Sequence, residues 1–499
     1  MLPLLKANQH IQTQGSRVNG RYRPLYHMAA PMGWINDPNG FVYFDGQYHL
    51  FYQFYPYDTK WGPMHWGHAV TDDFVQWQNR PVALAPDQPY DDALGCFSGT
   101  AFAEAGKLTL MYTGVSASED QKDMQQQCLA ESSDGVHFTK LSCNPVIPVA
   151  LIPDGFDTAN FRDPKLFKRG DAYYCLIGGR RKKEGGFVGE ILLYKSGDMV
   201  DWSFKGALMN GAIQADGVLE CPDIIRMDGK DVIVCCPQNL PLRGNKYQNS
   251  ASSIYITGHL DADKGVFISE RMDEIDGGFD FYAPQTVTAP DGRVIMTAWM
   301  NMWGRSYPSA NDGWAGSFIL PREVTLKNDR LLQNPVKEIE QYRKNPVNYG
   351  NVIIDAGEEK SLDGVNGNGL EVSLDAELLD ADIFGMKLFA GTDCETLLYF
   401  DRRESCVVFD RSRSGKSIDA DLSELPWGAG IRKTNADAPG GKLTLRLFLD
   451  RHSVEVFIQD GERVMTSTVF PGDKDVGIRF YTIGGKALIK SLSKYEIKL

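Results

Sequence analysis

No apolar run in the 499-residue chain approaches the roughly 18 to 20 residues that a membrane span requires. The opening Met1-Leu-Pro-Leu-Leu-Lys-Ala-Asn is too short and polar for the apolar core of a secretory signal. A cytoplasmic protein with no membrane partner is expected. Basic charge is in deficit, with 52 Lys plus Arg against 65 Asp plus Glu and a formal charge of −13. The compact basic run at 180–183 is only four residues and reads as a solvated loop, so nucleic acid is excluded as a partner. The nine cysteines are odd in number and scattered without Cys-x-x-Cys, which offers neither a disulfide framework nor a zinc site. What is present, 42% hydrophobic, 11% aromatic and 23% charged residues, is a folded chain of two or three domains.

A repeat organises the first two thirds. Five short apolar segments, each following a Gly- or Asp-rich turn, begin at Tyr48, Lys107, Ala172, Asp231 and Arg293, which lie 59, 65, 59 and 62 residues apart. A second strand precedes each turn, as in Gly40-Phe-Val-Tyr-Phe and Asp223-Ile-Ile-Arg-Met. A period near sixty suits one four-stranded unit plus loops, and five units predict a five-bladed β-propeller over 25–333, after an N-terminal extension at 1–24. Aromatics such as Trp77, Phe138 and Trp202 recur in outer strands and read as packing between blades. Charged residues at helical spacing behind a proline predict a linker helix over 334–349. Short alternating runs such as Leu443-Thr-Leu-Arg-Leu-Phe-Leu then predict a β-sandwich over 350–499. The fold class is all-β.

The acids keep step with the repeat. Asp37, Asp163 and Glu220 stand 11, 9 and 11 residues before their hairpin starts, and Ser98 and Tyr282 stand 9 and 11 before theirs. One position of a propeller repeat occupies one radius and height, so these side chains should converge at one end of the central axis. Each motif alone has a plainer reading, since Asn-Asp-Pro-Asn-Gly is also a good turn. A shared repeat position is not what solvated turns require. Crowded carboxylates repel, the drier one moving toward its protonated form while the better hydrogen-bonded one stays ionised. With Trp34, Trp61, Phe97, Tyr282 and Trp299 near the same strand ends, the funnel is carboxylate-floored and aromatic-walled, which suits a sugar ring. Glycoside hydrolysis is the reaction class this favours.

The motifs Trp34-Ile-Asn-Asp37-Pro-Asn-Gly, Phe51-Tyr-Gln53, Trp61-Gly-Pro-Met-His-Trp-Gly-His, Phe97-Ser98-Gly, Phe161-Arg162-Asp163-Pro, Glu220-Cys-Pro-Asp, Phe281-Tyr-Ala-Pro-Gln and Gly313-Trp-Ala-Gly resemble the invertase and sucrose-6-phosphate hydrolase family, glycoside hydrolase family 32. Ser453-Val-Glu-Val-Phe-Ile-Gln-Asp-Gly is similar to that family's C-terminal sandwich, so the resemblance covers nearly the whole chain. It implies Asp37 as nucleophile, Glu220 as general acid/base and Asp163 as transition-state stabiliser. It further implies Asn36, Gln53, Trp61, Phe97, Ser98, Arg162, Tyr282 and Trp299, with Trp34 beside them, around a fructose subsite. Retention of configuration, a small fructoside as substrate and no metal or other cofactor follow from the same resemblance. Retention puts the two reacting carboxyls about 5 to 5.5 Å apart. Arg162, beside Asp163, is expected to help keep that carboxylate ionised, since an adjacent cation lowers its pKa.

Rival readings are a fructosyltransferase using the same residues, a sugar-binding propeller without catalysis, and an inverting arabinan-cleaving propeller. His65-x-x-His68 has no third ligand in view and is read as non-metal. Cys221 is read as a small buried residue. The loop Pro241-Leu-Arg243-Gly-Asn-Lys246-Tyr is read as solvated, with no strict phosphate requirement. The sandwich edges are where a homo-oligomer would form.

Overall fold

The computed structural model describes residues 2–117, 123–420 and 430–499. Five four-stranded antiparallel units follow one another between Gly33 and Pro335, and their inner strands are Gly33–Phe44, Gly95–Glu104, Phe156–Arg169, Leu219–Met227 and Tyr282–Thr288. These are the blades of the expected propeller. In blades 1 to 4 the strands are neighbours in chain order, whereas in blade 5 a long connection separates Val294–Trp299 from Arg322–Lys327. Part of that connection, Trp314–Ala315, returns to pair in parallel with Gly33 and Trp34 of blade 1 and ties the ends of the ring together.

The recurring outer-strand aromatics have a local cause. Asp73, Asp134 and Asp198 each accept hydrogen bonds from the backbone N–H groups two and three residues on, at 2.8–3.0 Å, making three copies of one Asx-type turn. Each copy has a left-handed residue next to the Asp, namely Phe74, Gly135 and Met199. The turn delivers Trp77, Phe138 and Trp202 to the start of the outer strand, where Trp202 is buried and Phe138 packs on the core between blades 1 and 2.

Residues 334–349 correct the expected linker helix. Blade 5 ends at Pro335, a 3-10 helix spans only Lys337–Tyr342, and Arg343–Ile354 is already a strand of the sandwich. Pro346 cannot supply the N–H a continuing helix needs, and Val347, Tyr349, Val352, Ile353 and Ile354 favour extended backbone. The sandwich is two six-stranded sheets whose facing residues, among them Val372, Leu447, Val456, Met386, Phe409 and Phe480, form one apolar core. Before the propeller, helix Pro3–Gln14 lies on the outer strand of blade 1, with Ala7 buried and Asn8 accepting the Val82 N–H at 2.9 Å. All nine cysteines are unpaired thiols, and no described helix is long and apolar enough to cross a membrane.

Candidate active site

Every inner strand breaks register at the same height. The irregularity lies between Ile35 and Pro38, Phe97 and Gly99, Arg162 and Lys165, Glu220 and Asp223, and Tyr282 and Gln285. Pro38, Pro164, Pro222 and Pro284 stand in or beside these bulges, where a residue without an N–H costs no ladder hydrogen bond. Asp163, Cys221 and Ala283, each before a proline, have positive φ of 63°, 48° and 51°. Such strain persists only where the surroundings enforce it, and it turns consecutive side chains toward the axis. The repeat position shared by the acids is therefore approximate. Asp37 and Asp163 lie inside their bulges while Glu220 lies just before its own, and a second bulge between Asn39 and Val42 lengthens the blade 1 count.

The five bulges surround a cavity of about 520 Å³ lined by Asn36, Asp37, Gln53, Trp61, Phe97, Ser98, Arg162, Asp163 and Glu220, nine of the twelve residues expected from sequence. Ser98 Oγ donates to Asp37 Oδ2 at 2.7 Å. Asp163 Oδ2 accepts the Cys221 N–H at 2.9 Å, and the Cys221 sulfur lies 3.6 Å from that oxygen and 3.7 Å from Asp37 Oδ2. Glu220 is held at both oxygens. Arg162 donates to Oε1 through Nη2 at 2.7 Å and Nε at 3.2 Å, and the Tyr282 hydroxyl donates to Oε2.

Burial raises the Asp37 carboxyl to about 6, with Glu220 adding repulsion against the opposing Ser98 bond. Burial likewise raises Asp163 to about 7, with Arg162 opposing and Glu220 and Asp37 reinforcing. Arg162 does favour the Asp163 carboxylate, as expected, but its guanidinium is hydrogen-bonded to Glu220 and burial outweighs its attraction. Burial and the neighbouring carboxylates push the Cys221 thiol and, in the same way, the Tyr282 phenol well up, so both remain protonated.

Three of the expected residues stand behind the wall. Tyr282 is buried and reaches the cavity only through Glu220. Trp34 donates from Nε1 to Asn36 Oδ1 at 2.8 Å and, with fully buried Trp299, backs Trp303, the rings lying 6.0 and 5.1 Å from it. Trp303 is the aromatic that lines the cavity, facing a wall that includes Phe97 and Trp61, the latter 38% exposed. Gln125 and Asn160 were also not anticipated, and each accepts from Arg162 Nη1, at 3.3 and 2.9 Å. Asn160 stands two residues before Arg162, and Gln125 reaches it from the neighbouring blade, a contact across blades that leaves no mark in the sequence.

His65 and His68, three apart on one strand, point to opposite faces. His65 Nδ1 meets the Pro63 carbonyl at 3.0 Å and His68 Nε2 meets His49 at 3.1 Å. The loop containing Arg243 and Lys246 docks on the sandwich through Gln248, which accepts the Lys433 N–H at 3.1 Å, while Lys246 pairs with Asp273 of blade 4. Within the basic run Arg180, Arg181 and Lys183 pair with Asp157, Glu190 and Asp216.

The family model described as glycosyl hydrolases family 32 N-terminal domain matches residues 27–335, and that of the family 32 C terminal matches 338–496. The chain belongs to glycosyl hydrolases family 32. Among family 32 proteins it is similar to the sucrose-6-phosphate hydrolase of Escherichia coli, with 36% identity over 96% of each chain, and to the raffinose invertase of Escherichia coli, with 35% identity over 97% of each. Among solved family 32 structures, the beta-fructofuranosidase of Bombyx mori superposes with a TM-score of 0.84 at 33% identity, covering 99% of this chain and 98% of that one. The sucrose-6-phosphate hydrolase of Lactobacillus gasseri gives a TM-score of 0.85 at 28% identity over 98% and 96%.

Proposed function

We propose that this protein is a retaining β-fructofuranosidase that releases the terminal fructosyl unit of sucrose-type substrates. The observation that carries the reading is the meeting of Asp37, Asp163 and Glu220 in one aromatic-walled cavity, with Glu220 gripped by Arg162 and Tyr282. Glu220 delivers its proton to the glycosidic oxygen while the Asp37 carboxylate attacks C2 of fructose and forms a fructosyl ester. In the second half Glu220 takes a proton from water as the water cleaves that ester. Its carboxylate is the form that the Arg162 and Tyr282 donors fit. Asp37 near 6 is mostly ionised at neutral pH and fit to attack. Asp163, which accepts from Cys221 on one oxygen, offers the other to fructosyl hydroxyls as charge develops in the transition state. The reading places the enzyme in the cytoplasm and its substrate among small imported sugars, such as sucrose, sucrose 6-phosphate and short fructo-oligosaccharides, without a strict phosphate requirement. Its domain limits are those of the propeller and sandwich, and a homo-oligomer would form through sandwich edges.

The test is hydrolysis of sucrose, sucrose 6-phosphate and 1-kestose by wild type, Asp37→Asn and Glu220→Gln. Sucrose should give glucose and fructose in equal amounts, with kcat at least about 10³-fold lower in both variants. Excess glucose over fructose would indicate transfer to another sugar, and no release from any substrate would sink the fructosidase reading.

A further inference from the structure

Residues 275–281 lead into the inner strand of blade 5 and have no partner strand in their own blade. They lie instead along Arg463–Thr468, the edge strand of one sandwich sheet. Gly277 N–H donates to the Val464 carbonyl at 2.9 Å and Asp280 N–H to that of Thr466 at 3.0 Å. The approach is so close that a Cβ on Gly278 would sit 2.1 Å from the Thr466 carbonyl oxygen. Two aspartates repeat one device along this seam. Asp276 accepts both the N–H and the hydroxyl of Thr466, at 2.8 and 2.6 Å, and Asp280 accepts both from Thr468, at 2.8 Å each. Asp280 also takes Arg411 of the sandwich at 2.6 Å and, from the propeller, Arg305 at 2.9 Å and the Tyr307 hydroxyl at 2.7 Å. Two residues after Asp280 comes Tyr282, whose hydroxyl holds Glu220.

We propose that the sandwich sets the geometry of proton transfer. Its strand Arg463–Thr468 fixes Asp280, Asp280 fixes the backbone from which Tyr282 projects, and Tyr282 fixes Glu220. Asp280 is a positioning residue, since it stands two residues before Tyr282, is held by the sandwich strand and does not line the substrate cavity. The inference rests on the fructosidase reading, in which Glu220 is the general acid. The groups facing Glu220 are Arg162 and Tyr282 in direct contact, with Asp37, Asp163, Cys221 and Cys236 around them. Of these only Tyr282 lies on the strand that the sandwich holds. A donor to a carboxylate favours its ionised form, so a displaced Tyr282 moves the alkaline limb of kcat to higher pH and slows the reaction.

The experiment measures kcat and KM for sucrose across pH, with thermal midpoints, in wild type, Tyr282→Phe, Asp280→Asn, Thr468→Val and the Asp280→Asn/Tyr282→Phe double variant. Asp280→Asn should lower kcat about tenfold or more with KM within threefold, and move the alkaline limb upward by about half a pH unit, as Tyr282→Phe does. The double variant should lie within twofold of Tyr282→Phe, because both changes act through one side chain. An unmoved limb in Asp280→Asn and Thr468→Val, or losses that multiply in the double variant, would overturn the proposal even if thermal midpoints drop. Should Asp280→Asn not fold, Thr468→Val, which removes one hydroxyl in the other domain, is read by the same criterion. Inactive wild type would overturn the fructosidase reading first, and this inference with it.

Discussion

Asp163 and Asp280 are both buried aspartates, one on the funnel floor and the other where propeller meets sandwich, yet their carboxyls are driven to opposite ends of the scale. Asp163 is raised to about 7, while at Asp280 the Arg411 and Arg305 cations outweigh burial and hold it at about 2. Burial pushes both the same way, so the difference lies in the neighbours. Asp280 has two guanidiniums, two hydroxyls and a backbone N–H. Its surroundings continue as an alternating chain of buried charge, in which Arg322 bridges Asp276 at 3.0 Å and Glu455 at 2.7 Å, and His27 spans Glu455 and Asp450 at 2.9 and 2.8 Å. Burial opposes the charge on His27, but those two carboxylates outweigh it and hold the imidazolium to about 9. Asp163 has one N–H and a thiol, with two other acids beside it and the Arg162 guanidinium hydrogen-bonded to Glu220 instead. Where charges are matched the molecule is locked, and where carboxylates outnumber cations protons are exchanged near neutral pH.

Breaking the matched side is expected to have the largest effect. Arg322→Leu leaves Asp276 and Glu455 buried without their shared cation and should cost about 3 to 5 kcal/mol of stability, read by denaturant unfolding. A loss below about 1 kcal/mol would mean that the network contributes little to holding the domains. On the unmatched side, Asp163→Asn should lower kcat/KM for sucrose by about 10²- to 10³-fold, yet raise the thermal midpoint. A carboxyl raised from its usual range to about 7 supplies stability that is complete below pH 4 and lost as pH rises toward 7. Wild type should therefore lose more stability than Asp163→Asn between pH 5 and 8, and parallel midpoint curves would contradict the assignment. Asp280 has the reverse sign, its contribution being lost only as pH falls from about 4 toward 2. The smallest effect sharpens the funnel itself. The acid limb of kcat/KM should fall near pH 6 as Asp37 gains its proton. Ser98→Ala, which removes a donor favouring the carboxylate, should move that limb up by about half a unit. A limb that stays in place would assign it to another group.

The blades were legible because each hairpin closes locally, with its Gly or Asp turn and its apolar run adjacent in sequence. The acids were legible because each lies on an inner strand, 9 to 11 residues before its hairpin start. Their exact alignment was not, since a bulge adds a residue without leaving a mark in the hydrophobic pattern, and the inner strand Gly33–Phe44 carries two. Arg162 was assigned to its sequence neighbour Asp163, but adjacent residues on a strand diverge, and the guanidinium reaches Glu220 on the next blade. Trp34 and Trp299 were expected to line the subsite, yet a tryptophan's reach does not say whether it faces the cavity or backs another ring, here Trp303. The linker misled because charged residues at helical spacing outvoted Pro346 and the β-branched residues behind it.

The parallel pairing of Gly33 with Trp314 has a consequence for biosynthesis. The partner that secures the first blade is translated 281 positions after it, so a nascent chain already carrying Asp37, Asp163 and Glu220 still has an open ring. Such distant closure is slow and leaves sheet edges exposed meanwhile. The funnel should therefore assemble in one late step rather than acid by acid, and a ribosome stalled before Trp314 would carry all three funnel carboxylates on an open ring.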